Sequence, residues 1–150
     1  MDDFTIRDLR VSIAEGTGDG GDYFQKAEGH WLIDTEIANP MSGHAAYKAR
    51  RTSRGIGVLG SIVVEITTGA EVTGVATGFG GPPAAWLIQN HFRRFLIGAD
   101  ARQINRIWDQ MLRASMPYGR KGLPVAAIPA VDLALRVLVG KQRGEWLWSV

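Results

Sequence analysis

Three histidines (His30, His44 and His91) and a run of arginines (Arg50, Arg51 and Arg54) are the side chains best suited to chemistry in this 150-residue chain. A histidine can donate to or accept from a hydroxyl, and it changes charge near neutral pH. A guanidinium presents paired donors that suit a carboxylate or vicinal hydroxyls. His30 lies in a polar stretch, in Gly-His-Trp, and the three arginines close the same stretch. A histidine in such a loop is ordinarily solvated, and a local basic cluster is ordinarily surface. His44 has no evident partner in sequence. His91, next to Arg93 and Arg94, falls on the polar face of an amphipathic segment. With no cysteine, disulfides and thiolate metal sites are excluded. The glycine-rich run Gly16–Asp22 lacks the Gly-Lys-Ser/Thr ending of a phosphate loop. It also lacks the Asp-x-Asp-x-Asp-Gly spacing and closing Glu of a calcium loop.

The elements that must position these residues are legible from periodicity. Phe4, Ile6, Leu9, Val11 and Ile13 recur on a period of two, which predicts a half-buried strand over 4–14. Residues 15–53 are irregular, and a structureless stretch of that length is usually functional or disordered. A second strand is predicted over 57–67. A turn at Thr68-Gly69-Ala70 then leads to a third strand through Val72, Val75 and Ala76, forming an antiparallel hairpin. After Gly80-Gly81-Pro82-Pro83 the period becomes helical. Ala84, Leu87, Ile88, Phe92, Phe95 and Leu96 share one face, and Gly98 is a stop signal. A second helix, capped by Asp100, is predicted to bury Ile104, Ile107, Trp108, Met111 and Leu112; a third runs from Leu123 to Gly140. Strands first and helices second give an α+β fold, a three-stranded antiparallel meander followed by a helical bundle.

Composition narrows the partners. The net charge is +2 although the sequence pI is about 9.2, and no base-reading helix or aromatic platform is present, so no nucleic-acid partner is expected. No run of 18 apolar residues occurs, so no membrane partner is expected. The opening Met1-Asp2-Asp3 is acidic where a secretory signal would be basic, and a cytoplasmic location is expected.

Five segments carry a resemblance in their order and spacing. They are Gly20–Tyr23, Gly29–Asp34, Pro40–Ser42, Val58–Glu65 and Ala130–Leu135. Together they resemble the N-terminal capping domain of the enolase superfamily, in its mandelate racemase/muconate lactonizing enzyme branch, and most nearly the L-rhamnonate dehydratase family. The resemblance implies a cap over the mouth of a (β/α)8 barrel. That barrel would supply the acidic Mg²⁺ ligands and the general acid/base residues. The cap would contribute no catalytic residue, no metal ligand and no cofactor of its own. It would contribute substrate contacts and a water-excluding lid, with the glycines of Gly16–Asp22 as hinges. On this resemblance His30 and Arg51 are the substrate-binding residues, with Arg50 the near competitor for Arg51. The ligand would be a sugar acid of the L-rhamnonate kind.

The same resemblance frames several departures. Arg54 stands where the family has an aromatic residue, and Arg136-Val137 where it has Trp-Asp. An arginine on an apolar helix face is costly unless paired or able to reach water. Pro129 falls inside the third helical pattern, where proline costs about 3 kcal/mol or kinks the helix. Residues 1–145 are therefore expected to be the capping domain. Residues 146–150 are expected to be the truncated start of a link to a barrel of about 250 residues that is absent from this chain. Such a chain is expected to be inactive alone and, with Trp146 and Trp148 exposed, to self-associate. The alternative is a stand-alone binding module or a degenerate remnant.

Overall fold

The computed structural model describes residues 3–14, 43–45 and 60–150. Three antiparallel strands, β1 (Ile6–Ala14), β2 (Ser61–Thr68) and β3 (Thr73–Phe79), form one sheet in the order β1-β2-β3. Helix α1 (Gly81–Leu87) runs through a π-helical turn, Ile88–Phe92, into α2 (Arg93–Leu96). Helices α3 (Ile104–Ser115) and α4 (Leu123–Arg143) follow, with a short 3-10 turn at Leu147–Ser149. The fold class and element order expected from the sequence are those observed.

Strand β1 carries a feature that its sequence encodes but strict alternation hides. Phe4 and Ile6 are both buried, and so is Leu9, an odd step from Ile6. The pairing slips between Ile6, opposite Thr68, and Asp8, opposite Thr67. A bulge at this point inserts one extra residue and returns the apolar set to the core face. Beyond it, Leu9 lies opposite Ile66, Val11 opposite Val64 and Ile13 opposite Ile62. Those positions of β2 are fully buried.

The helices cover one face of the sheet, and the contact between α4 and β3 is the closest. Gly74 and Gly78 face α4 from β3. A Cβ on Gly74 would run into the Ala134 carbonyl and Leu138; one on Gly78 would lie 2.7 Å from Ala130 Cβ. The opposite wall is equally small, with Ala130 and Ala134 both buried. Small residues on both sides let the helix backbone settle onto an edge strand. Ile128, Val131, Leu135 and Leu138 fill the flanks, and Phe92, Ile107 and Met111 close the core from the other helices.

Several helix expectations need correction. Asp100 does not cap α3, which begins at Ile104 with Gln103 in the cap position and no side-chain cap. Its carboxylate instead accepts from the Arg102 amide at 2.9 Å and is forked by the Arg102 guanidinium. Trp108 is 40% exposed rather than buried, because Ile104, Ile107 and Met111 form a narrow stripe and residue 108 lies on its flank. The first helix is interrupted by the π turn. The left-handed residue of the β2–β3 turn is Glu71 (φ 62°), not a glycine. Pro129 sits in an unbroken α4 on its exposed side, where the carbonyl it leaves unpaired can reach water. Helix α4 is also long and apolar enough to cross a membrane, with mean hydropathy 1.8, but 56% of that window is buried, as expected for a core helix.

The glycine seam gives a stability prediction. Gly74→Ala should destabilise the chain by about 1–3 kcal/mol, the range for overpacking. Val75→Ala, on the other face of the same strand, should cost well under that. Urea unfolding of both variants against the parent checks it.

Candidate functional site

The two substrate-binding residues expected from the sequence, His30 and Arg51, lie outside the described residues, as do Arg50, Arg54, Trp31 and Gly16–Asp22. The described residues fix where the segment carrying them is attached. It leaves β1 at Ala14 and returns at Gly60, next to β2. Ala14 pairs with Ser61, and the Gly60 carbonyl accepts from the Gly80 amide at 3.0 Å. Residues 15–59 therefore start and finish on adjacent strands at one end of the sheet. His44 is described and exposed.

His91 has a partner that sequence reading missed. Its Nδ1 lies 2.6 Å from the Tyr118 hydroxyl, and its ring packs against Phe92, Phe95 and Tyr118 at centroid distances of 5.5, 6.0 and 5.6 Å. Burial pushes the Tyr118 hydroxyl above its ordinary value. The pair ties the π turn to the α3–α4 connection across 27 residues of sequence. No local signal announces such a pairing.

Charge in the described residues is arranged mainly as neutralised pairs. Asp3 meets Arg7, Asp8 meets Arg10, Asp100 meets Arg102, Asp109 meets Arg113, Asp132 meets Arg136 and Glu145 meets Arg143. Arg136, costly by the sequence argument, is satisfied. It donates to Asp132 at 2.9 Å, one turn back on α4, and to the main-chain oxygen of Val150 at 2.7 Å. Arg136 also lines an open groove of about 510 Å³ together with Arg102, Arg106 and Arg143. Three of those four arginines carry an acidic partner.

No three acidic or histidine side chains gather to hold a metal among the described residues. The Mg²⁺ that the resemblance implies therefore does not fit them, because six of their carboxylates are already engaged by arginines. Near the last residues, Trp146, Leu147 and Trp148 are 75%, 43% and 84% exposed. A smaller depression of about 220 Å³ runs from Trp146 and Leu147 back to Val137 and Gly140.

Comparison with known proteins agrees with this architecture. The sequence profile of the mandelate racemase / muconate lactonizing enzyme N-terminal domain matches residues 33–150. The chain is 45% identical over 145 residues to L-rhamnonate dehydratase of Saccharopolyspora erythraea, covering 97% of this chain and 36% of that protein. The crystal structure of L-rhamnonate dehydratase from Gibberella zeae superposes with a TM-score of 0.80 at 50% identity, over 99% of this chain and 34% of that one. A structure of the Gibberella zeae rhamnonate dehydratase complexed with Mg also gives 0.80, at 55% identity over 95% of this chain and 35% of that one. The chain thus spans about a third of the length of the relatives it matches.

The Asp100–Arg102 fork makes a pH prediction. Hydrogen bonds from Arg102 hold the Asp100 carboxyl below the usual carboxylate range. Its contribution is therefore present above the unfolded value of about 3.9 and is lost as pH falls through the lower folded value. Asp100 is partly exposed, so the contribution should not exceed about 1 kcal/mol. Asp100→Asn should be less stable than the parent at pH 7, and the difference should shrink at pH 3; urea midpoints at the two pH values measure it.

Proposed function

The chain belongs to the mandelate racemase / muconate lactonizing enzyme N-terminal domain family, and on that premise we propose that it is the capping, substrate-specificity domain of an acid-sugar dehydratase acting on L-rhamnonate or a close analogue. The observation that carries this reading is the match of nearly the whole chain, in sequence and in fold, to the first third of proteins named L-rhamnonate dehydratase. The reaction is Mg-dependent loss of water from the sugar acid. Its metal and its acid/base groups belong to a barrel domain, and this chain alone is inactive. Residues 1–145 form the cap and 146–150 begin the link to the barrel. The protein works in the cytoplasm.

Within that reading the division of labour follows from chemistry. Arg51 offers two parallel donors to the carboxylate or to adjacent hydroxyls of the sugar acid. His30 hydrogen-bonds a hydroxyl and so selects stereochemistry along the carbon chain. Their segment is joined to the sheet through Ala14 and Gly60, which lie on adjacent strands. The two departures that suggest decay, Pro129 and Arg136, are both accommodated in α4, which favours a working cap over a remnant. With Trp146 and Trp148 largely bare, the cap alone presents an apolar patch suited to association with a barrel or with itself.

Two outcomes test the reading. In a protein that joins this chain to a family barrel, Arg51→Ala should lower kcat/KM for L-rhamnonate by about ten- to a hundred-fold, as for losing a hydrogen bond between charged groups, and His30→Ala by about two- to tenfold, as for losing one to a hydroxyl. Values unchanged from the parent would remove both residues from the site. Sedimentation of the chain alone should show concentration-dependent association; one monomeric species across a tenfold range would contradict the patch.

A further inference from the structure

Helix α4 ends by turning the chain back on itself. Gly144 takes a left-handed φ of 68°. The Glu145 amide donates to the Gly140 carbonyl at 2.8 Å, and the Gly144 amide to the Lys141 carbonyl at 3.3 Å. These two bonds close the helix and reverse the chain, and glycine adopts the required conformation without strain. Trp146 is then extended, and Leu147–Ser149 form the 3-10 turn. Val150 comes back beside the helix, where its side chain packs on the edge of the core.

The returning segment is seated by two residues of α4. The first is Gly140. A Cβ there would stand 3.0 Å from the Glu145 carbonyl oxygen and 3.5 Å from a Val150 methyl, so the segment runs directly over the missing side chain. The second is Arg136, whose Nη1 donates to the main-chain oxygen of Val150 at 2.7 Å. Its guanidinium is held in that direction by Asp132, which accepts from Nε at 2.9 Å one turn back. The two side chains are 34% and 23% exposed, the least exposed arginine–carboxylate pair among the described residues. A charge-assisted bond at that depth is less screened by water and salt than one on the open surface. The 3-10 turn itself is too short to hold its own shape, so its order depends on these outside contacts.

We propose that residues 144–150 are a strap seated on α4 by Arg136, and that Arg136, oriented by Asp132, fixes the path of the chain beyond the helix and the outward presentation of Trp146 and Trp148. The geometry divides the work. Gly144 makes the reversal, Gly140 leaves room for the segment to lie down, and Arg136 holds its far end. Arg136 also lines both the larger groove and the depression under Trp146 and Leu147, so it stands where the strap meets the helix surface. With the latch removed, the strap pivots from Gly144 and the two indoles lose their fixed place against α4. This role does not rest on the dehydratase reading.

The test uses the 150-residue chain and nuclear magnetic resonance. In the parent, the Val150 methyls should show an Overhauser contact to the Gly140 α-protons, and the Ser149 amide, which donates to the Trp146 carbonyl at 2.9 Å, should be partly protected from exchange. Arg136→Met keeps a long side chain and good helix propensity but removes the donor. It should abolish the Overhauser contact and speed Ser149 exchange by about three- to tenfold, as for losing a charge-assisted bond at a partly exposed site. Circular dichroism should be unchanged. Arg113→Met, which breaks the Arg113–Asp109 pair on α3, should leave both signals as in the parent. A short extension beyond Val150 turns its terminal oxygen into a peptide carbonyl and should also leave them in place. Exchange is read at two protein concentrations, so that burial of the tryptophans between copies is not taken for seating. Arg136→Met with the parent's signals, Arg113→Met with the same losses, or an extended chain that loses the Val150 contact would each overturn the proposal.

Discussion

The structure depends on one seam, where α4 lies against β3 with almost no side chain between them. Gly74 and Gly78 on the strand meet Ala130 and Ala134 on the helix, and a methyl group at Gly74 would strike the helix backbone itself. Close approach of the two backbones leaves no room for a larger side chain at Gly74 or Gly78, so overpacking there would displace the helix. The rest of the core is built outward from it. Ile62, Val64 and Ile66 extend the apolar face across β2, and Phe92, Ile107 and Met111 fill the space beneath the other helices.

Ala14 and Gly60, the described residues on either side of 15–59, are held on neighbouring strands at one end of the sheet. Six carboxylates of the described residues, Asp3, Asp8, Asp100, Asp109, Asp132 and Glu145, each pair with an arginine two to four residues away.

Much of this was legible in the sequence, for identifiable reasons. The period-two runs and the switch to a helical period after Gly80 gave the order of strands and helices, because burial on one face is a local constraint. The helix-to-strand seam was not legible, since two glycines in a strand read equally well as a weak strand. The bulge between Ile6 and Asp8 was present as an odd step in the apolar pattern, but such a step can also mean a strand end. Trp108 misled because size suggests burial, whereas the stripe of α3 is too narrow to include it. Arg136 looked like a fault until Asp132, four residues earlier, was seen to lie beside it. The His91–Tyr118 contact joins elements far apart in sequence, and only the fold brings them together. His30 and Arg51, the proposed substrate contacts, were reached through resemblance, and they lie outside the described residues.

The most direct measurement is a domain exchange. This chain would replace the matching N-terminal third of the Saccharopolyspora erythraea L-rhamnonate dehydratase, and the purified chimera would be assayed with Mg²⁺ for dehydration of L-rhamnonate. The account predicts a folded chimera that dehydrates L-rhamnonate with kcat/KM within about tenfold of the parent enzyme, a change of about 1.4 kcal/mol in the barrier. A chimera that folds and binds Mg²⁺ yet dehydrates no sugar acid would contradict it, because a cap of this family that cannot serve a family barrel is not a working specificity domain.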